Sequence, residues 1–110
     1  MDAPNILTLI RARPATYLGS KSITKLKSFL DGYYFSKYES DPHLSLENND
    51  EEVFWLKFQD WLEDKYQVKS NQSWVAIIRF FSTDDAAALD LFFDLVDEFV
   101  YCLSNNSLKD

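Results

Sequence analysis

Glycine and proline are scarce in this chain, at two and three of its 110 residues, where an average domain carries roughly 12% of the two together. A many-stranded sandwich needs a turn signal every ~8–12 residues, and five such residues cannot punctuate one. Cysteine is nearly absent as well. With Cys102 alone, no intrachain disulfide and no multi-cysteine metal site can form, which suits a reducing compartment. The one histidine, His43, lies in a polar stretch with no cysteine nearby to activate. Long apolar runs are also missing, because aspartates interrupt them, so no membrane span is expected. The run from Ile6 to Ile10 is short and is followed at once by Arg11 and Arg13, the wrong order for a secretory leader. A cytoplasmic location is the expectation. No HExxH, P-loop, dinucleotide glycine pattern or nucleophile elbow is present. No catalytic residue, metal ligand or cofactor is expected, and the chain is read as not an enzyme.

What is present is an ordinary globular mixture, 46% apolar and 26% charged, at a length that fits one domain. The spacing predicts an all-α fold, a compact single-domain bundle of about five helices over residues 1–104, with a frayed C-terminal tail at 105–110. The first helix covers residues 4–12 and stops at Pro14, since the residue before a proline avoids the α region. Residues 13–20 read as a loop. A second helix, capped by Ser20 or Ser22, runs to about Tyr38, and Gly32 inside it suggests that something packs closely there. Residues 39–50 form a polar loop. Asn49, followed three residues later by Glu52, reads as the start of a third helix running to about Tyr66. Residues 74–81 favour a strand by propensity, yet a lone strand has no partner, so they are read as helix. Ser82-Thr83-Asp84-Asp85 caps a last helix reaching about Leu103. Leu26, Leu30, Phe54, Phe58, Trp61, Leu89, Phe92, Val96 and Phe99 are the expected core.

Charge carries the functional signal. The net of −7 splits into +4 over residues 1–38, −8 over 39–64, +3 over 65–81 and −6 over 82–110. Duplex nucleic acid and anionic membranes are poor partners for two such acidic blocks, whereas a basic protein surface is a good one. The first candidate partner-binding face is the 39–64 block, in two groups. Glu39, Asp41, Glu47, Asp50, Glu51 and Glu52 come first, then Asp60, Glu63 and Asp64 one turn apart on a helix. The second candidate is the stripe of Asp90, Asp94, Asp97 and Glu98 on the last helix, with Tyr101 one turn beyond. Within each helix, like charges at i,i+4 repel by a few tenths of a kcal/mol. Three uses of such faces stay open: a docking surface that occupies a basic cleft, a nucleic-acid mimic that inhibits a DNA-binding protein, and plain solubilisation. A structural oligomer subunit is a further alternative.

Two resemblances bear on the choice. The string Arg11-Ala12-Arg13-Pro14-Ala15-Thr16-Tyr17-Leu18-Gly19 is similar to a stretch near the start of gyrase-type ATPase domains. The following helix, Leu30-Asp31-Gly32-Tyr33-Tyr34-Phe35, lacks the metal-binding asparagine of those enzymes, and no glycine-rich lid follows, so ATP binding is not expected. A longer pattern covers residues 6–99. It includes Arg13 to Ile23 running into Leu26, Phe29, Leu30, Gly32 and Tyr33, then Phe58, Trp61 and Lys65-Tyr66. Ser73-Trp74 with Ile77-Ile78, Leu91-Phe92-Phe93 and Glu98-Phe99 complete it. This pattern resembles small bacterial immunity proteins of contact-dependent growth inhibition systems. The resemblance implies a cytoplasmic protein that neutralises a cognate toxin's C-terminal domain, commonly a nuclease, by binding it tightly. With the charge pattern, a ribonuclease is the first expectation, bound by a monomer with the oligomeric state of the free chain left open. No direct contact with nucleic acid or membrane is expected. The resemblance assigns no binding residues to particular positions.

Overall fold

The computed structural model describes residues 2–40, 50–68 and 72–109, with side chains as far as residue 105. These residues form six helices: α1 Asn5–Ala12, α2 Pro14–Leu18, α3 Ile23–Ser40, α4 Asp50–Tyr66, α5 Trp74–Phe80 and α6 Asp85–Lys109. No strand occurs among the described residues. The all-α reading holds, and α5 is helical as expected. Its residues Trp74, Ile77 and Ile78 are buried on one side, a three- and four-residue spacing that a helix can present to a core and a strand cannot.

Three local expectations change. The 13–20 segment is not all loop, because α2 occupies it. Arg13 leaves the helical region at φ −142° and ψ 67°, and Pro14 restarts a helix at its first position, where its missing N–H and fixed φ cost nothing. The turn stops at Gly19, whose φ of 83° places it in left-handed backbone that favours glycine; its N–H donates to Ala15 O at 2.8 Å. The second change is at the C-terminus, where the backbone of α6 stays helical through Lys109 instead of fraying from 105. Residues 104–109 contain no glycine or proline to end the helix. Third, nothing packs on Gly32: a Cβ built there meets no atom within 4 Å.

Helix starts follow from their sequences. Asp84 caps α6 through its side chain, which accepts from Ala87 N at 2.8 Å. Asp50, Glu51 and Glu52 occupy the first turn of α4, where the helix dipole favours anions. The cap expected at Asn49 lies outside the described residues, as do Asp41, His43 and Glu47.

Helix α6 is the central element, and α3, α4 and α5 each pack on it. Phe54, Phe58, Phe92 and Phe99 are fully buried with Ile10, Ile23, Leu26, Leu62, Ile78 and Leu89. Phe58 sits 5.5 Å from Phe99 and 5.9 Å from Phe92, ring centroid to centroid. Eight of the nine expected core residues are buried. Trp61 is the exception: it is half-buried, lying over Phe58 and Phe99 at the core's edge, because the ring is large enough to cover the core without entering it.

A polar corner fastens the ends of three helices. Ser22 Oγ accepts from Lys25 N at 3.2 Å, capping α3, and donates to Asp85 at 2.8 Å. Arg79 at the end of α5 donates to the same carboxylate at 2.8 Å. Hydrogen bonds from Thr24 and Ser22, with Arg79 beside them, lower the Asp85 carboxyl to about 2.

Candidate functional site

The two acidic faces read from the sequence are built differently. On α6, the carboxylates are tied to cations from other elements. Arg11 of α1 donates both guanidinium nitrogens to Asp97 at 2.8 Å, in bidentate geometry, and lies 5.4 Å above the Phe93 ring. That hydrogen-bonded pair lowers the Asp97 carboxyl and raises the Arg11 guanidinium. Lys21 meets Asp90 at 2.8 Å, and Lys65 of α4 meets Glu98 at 2.9 Å. The six partners are exposed or half-exposed, so each bridge is worth about 0–1 kcal/mol. Their larger effect is electrostatic. At a Debye length of ~8 Å, an approaching charge sees mainly neutral pairs. Asp94 has no ion pair among the described residues, and Tyr101 is 66% exposed.

The 39–64 block does not form one face. Asp50 and Asp64 lie at opposite ends of α4, ~21 Å apart at 1.5 Å per residue. At the first end, Glu51 accepts from Lys37 of α3, and that bond raises the Lys37 ammonium. Glu52 lines a cavity of about 260 Å³ between α3, α4 and α5, with Tyr34, Trp55 and Trp74. There Trp55 Nε1 donates to Tyr34 Oη at 3.0 Å, and burial raises the Tyr34 hydroxyl. Glu39 and Asp50 are exposed at the ends of α3 and α4.

At the other end of α4, Asp60, Glu63, Asp64, Gln67 and Val68 line an open groove of about 410 Å³. Asp60 and Asp64 are exposed and have no ion pair among the described residues; Glu63 is half-buried and accepts from Gln59 at 3.3 Å. Two features make these carboxylates costly to the fold. They repel one another at i,i+4, and they crowd the helix's C-terminal turns, where the dipole disfavours anions. The helix then ends on a turn that bends the chain around the groove. Val68 N donates to Glu63 O at 3.0 Å and Gln67 N to Asp64 O at 3.3 Å, the Schellman pattern, with Gln67 at φ 55° where glycine is usual.

Phe80 and Phe81 line a second cleft that shares Val68 with this groove, a feature not anticipated from the sequence. Phe80 is 79% exposed and Phe81 45% exposed. Phe81 stacks on Tyr66 at 4.4 Å. The available signal was the helical wheel of α5. Position 80 falls off the stripe made by Trp74, Ile77 and Ile78, so a phenylalanine there has no core to enter.

Cys102 is half-buried on α6. No group of three or more His, Cys, Asp or Glu side chains is arranged to hold a metal among the described residues. No helix among them is long and apolar enough to cross a membrane. In the segment similar to ATPase domains, Leu18 is buried and Tyr17 meets Phe29 edge-on at 6.2 Å.

No protein-family model matches the chain, and no match is found among curated proteins or solved structures.

Proposed function

We propose that this chain is an inhibitor of the immunity type. It binds a basic toxin nuclease domain, with a ribonuclease the first expectation, and covers that domain's active site with the carboxylates at the end of α4. The observation carrying this reading is the contrast in pairing. Asp90, Asp97 and Glu98 on α6 are neutralised from within the molecule. Asp60, Glu63 and Asp64 are held by no cation among the described residues and sit where they weaken their own helix. A cluster that costs stability and meets no cation among the described residues is what a partner-binding site requires. A nuclease needs a cationic cleft to hold phosphates, and a carboxylate cluster of opposite sign both steers encounter with that cleft and competes with its substrate. Acting inside the cytoplasm, where nucleic acid is the target, completes the reading.

The experiment is a protection assay. The C-terminal domain encoded by the neighbouring open reading frame is expressed in cells with and without this chain. Killing that is relieved only when the chain is present supports the reading. A neighbouring domain that is harmless, or kills regardless, overturns it.

A further inference from the structure

We propose that the partner is held by a two-part surface at the corner between α4 and α5. An apolar shelf made by Phe80, Phe81 and Tyr66 buries an apolar side chain of the partner, while Asp60, Glu63 and Asp64 receive the arginine or lysine beside it. This rests on the reading that the partner is a basic protein, and adds the residues that retain it after docking.

The shelf is contiguous. Phe81 lies flat against Tyr66, with an interplanar angle of 15°, and Phe80 stands edge-on to Phe81 at 5.1 Å. Val68, Ile77 and Gln72 join the two phenylalanines around a cleft of about 180 Å³. Val68 also lines the acidic groove, so the apolar and anionic parts share an edge. The other large exposed apolar side chains, such as Leu9, Phe35 and Leu56, are on α1, α3 and the middle of α4, and single exposed residues need no explanation. Adjacent aromatic rings rimmed by charge do, since aromatic anchors in desolvated pockets dominate protein interfaces. Charge complementarity selects the occupant. Anionic membranes and nucleic acid are repelled by the groove, and a second copy of this chain brings its own −7. A cationic protein surface with an apolar side chain satisfies both halves. The carboxylates then govern association and its salt dependence, and the rings govern dissociation.

The probe is a library of random peptides displayed on phage and selected on the intact wild-type protein. The strongest binder is synthesised and titrated against wild type, Phe80→Ser, and the Asp60→Asn/Glu63→Gln/Asp64→Asn variant, at low and high salt. Selected peptides are expected to place arginine or lysine near a large apolar side chain and to shift the amide resonances of Val68, Phe80 and Phe81. Phe80→Ser should weaken binding ~10-fold or more at both salts, with an unchanged melting curve because the side chain is exposed. The carboxylate variant should weaken binding at low salt and flatten its salt dependence. A Phe80→Ser affinity within ~2-fold of wild type, with the carboxylate effect retained, overturns the shelf and leaves the acidic reading standing. The reverse outcome overturns the acidic reading. Peptides without cations, perturbation elsewhere on the surface, or no enrichment at all overturn the two-part surface. A concentration-dependent dimer that Phe80→Ser dissolves assigns the shelf to a second copy and also overturns it.

Discussion

The C-terminal end of α4 and the stripe along α6 carry similar charge in sequence but differ in their surroundings. Asp97 faces a bidentate arginine, and Asp90 and Glu98 each face a lysine. Asp60 and Asp64 face the open groove. The carboxylates of α6 fasten three other parts of the chain to the central helix, while those of α4 oppose their helix's dipole and one another. A count of acidic residues therefore overstates the field of α6 and understates how distinct the end of α4 is. Surface charge becomes informative once each carboxylate has been matched to its nearest cation.

The strongest way to break this comparison is charge reversal. Asp60→Lys/Glu63→Lys/Asp64→Lys should abolish protection and weaken toxin binding by ~100-fold or more, in line with the ~2–5 kcal/mol that follows truncation of desolvated charge pairs. Its circular dichroism should remain helical. Reversal of Asp90, Asp94 and Asp97 should leave binding within ~10-fold and lower the melting temperature instead. Equal loss of binding in the two triple variants would remove the distinction.

A smaller effect tests the corner that anchors α6. Asp85 has its carboxyl lowered in the folded protein to about 2, so its contribution to stability is complete above its ordinary range near 3.8. That contribution is lost as pH falls from there through about 2. Asp85→Asn should melt below wild type at pH 6, and the two curves should converge between pH 4 and 2. A gap that stays constant across that range would mean that the hydrogen bonds act without the charge. Asp97 is lowered in the same direction, and Asp97→Asn should show a weaker convergence.

The smallest effect has opposite signs at the two sites. Asp64→Asn should stabilise the protein by ~0.2–0.5 kcal/mol, through relief of repulsion with Asp60 and with the helix dipole. Asp97→Asn should destabilise it by less than ~1 kcal/mol, through loss of an exposed bridge. Chemical denaturation of both variants, read as midpoint shifts at constant slope, measures the two signs. Shifts in the same direction would show that pairing does not separate the sites.

Helix type was legible in the sequence because it follows from local rules: apolar spacing, the Asp84 cap, and the lack of glycine and proline. The same rules placed α5 correctly against its strand propensity and identified Phe54, Phe58, Phe92 and Phe99 as core. They misjudged Gly32, since the space around an exposed helix face is not encoded by that helix. They also misjudged the end of α6, where composition suggested a tail but nothing interrupts the helix. Both acidic blocks could be read as well, as runs of like charge.

Which carboxylates are tied to cations could not be read, because Arg11 and Asp97 are 86 positions apart and Lys21 and Asp90 are 69 apart. For Phe80 the α5 wheel carried a signal, but that Trp74, Ile77 and Ile78 form the buried side was settled by how α5 packs against its neighbours. The sequence by itself determined that the chain is helical and where acid accumulates, for these are properties of neighbours along the chain. Only the tertiary structure decided which carboxylates are neutralised and which, among the described residues, meet no cation. Pairing and burial depend on distances through space, and those exist only once the helices have packed.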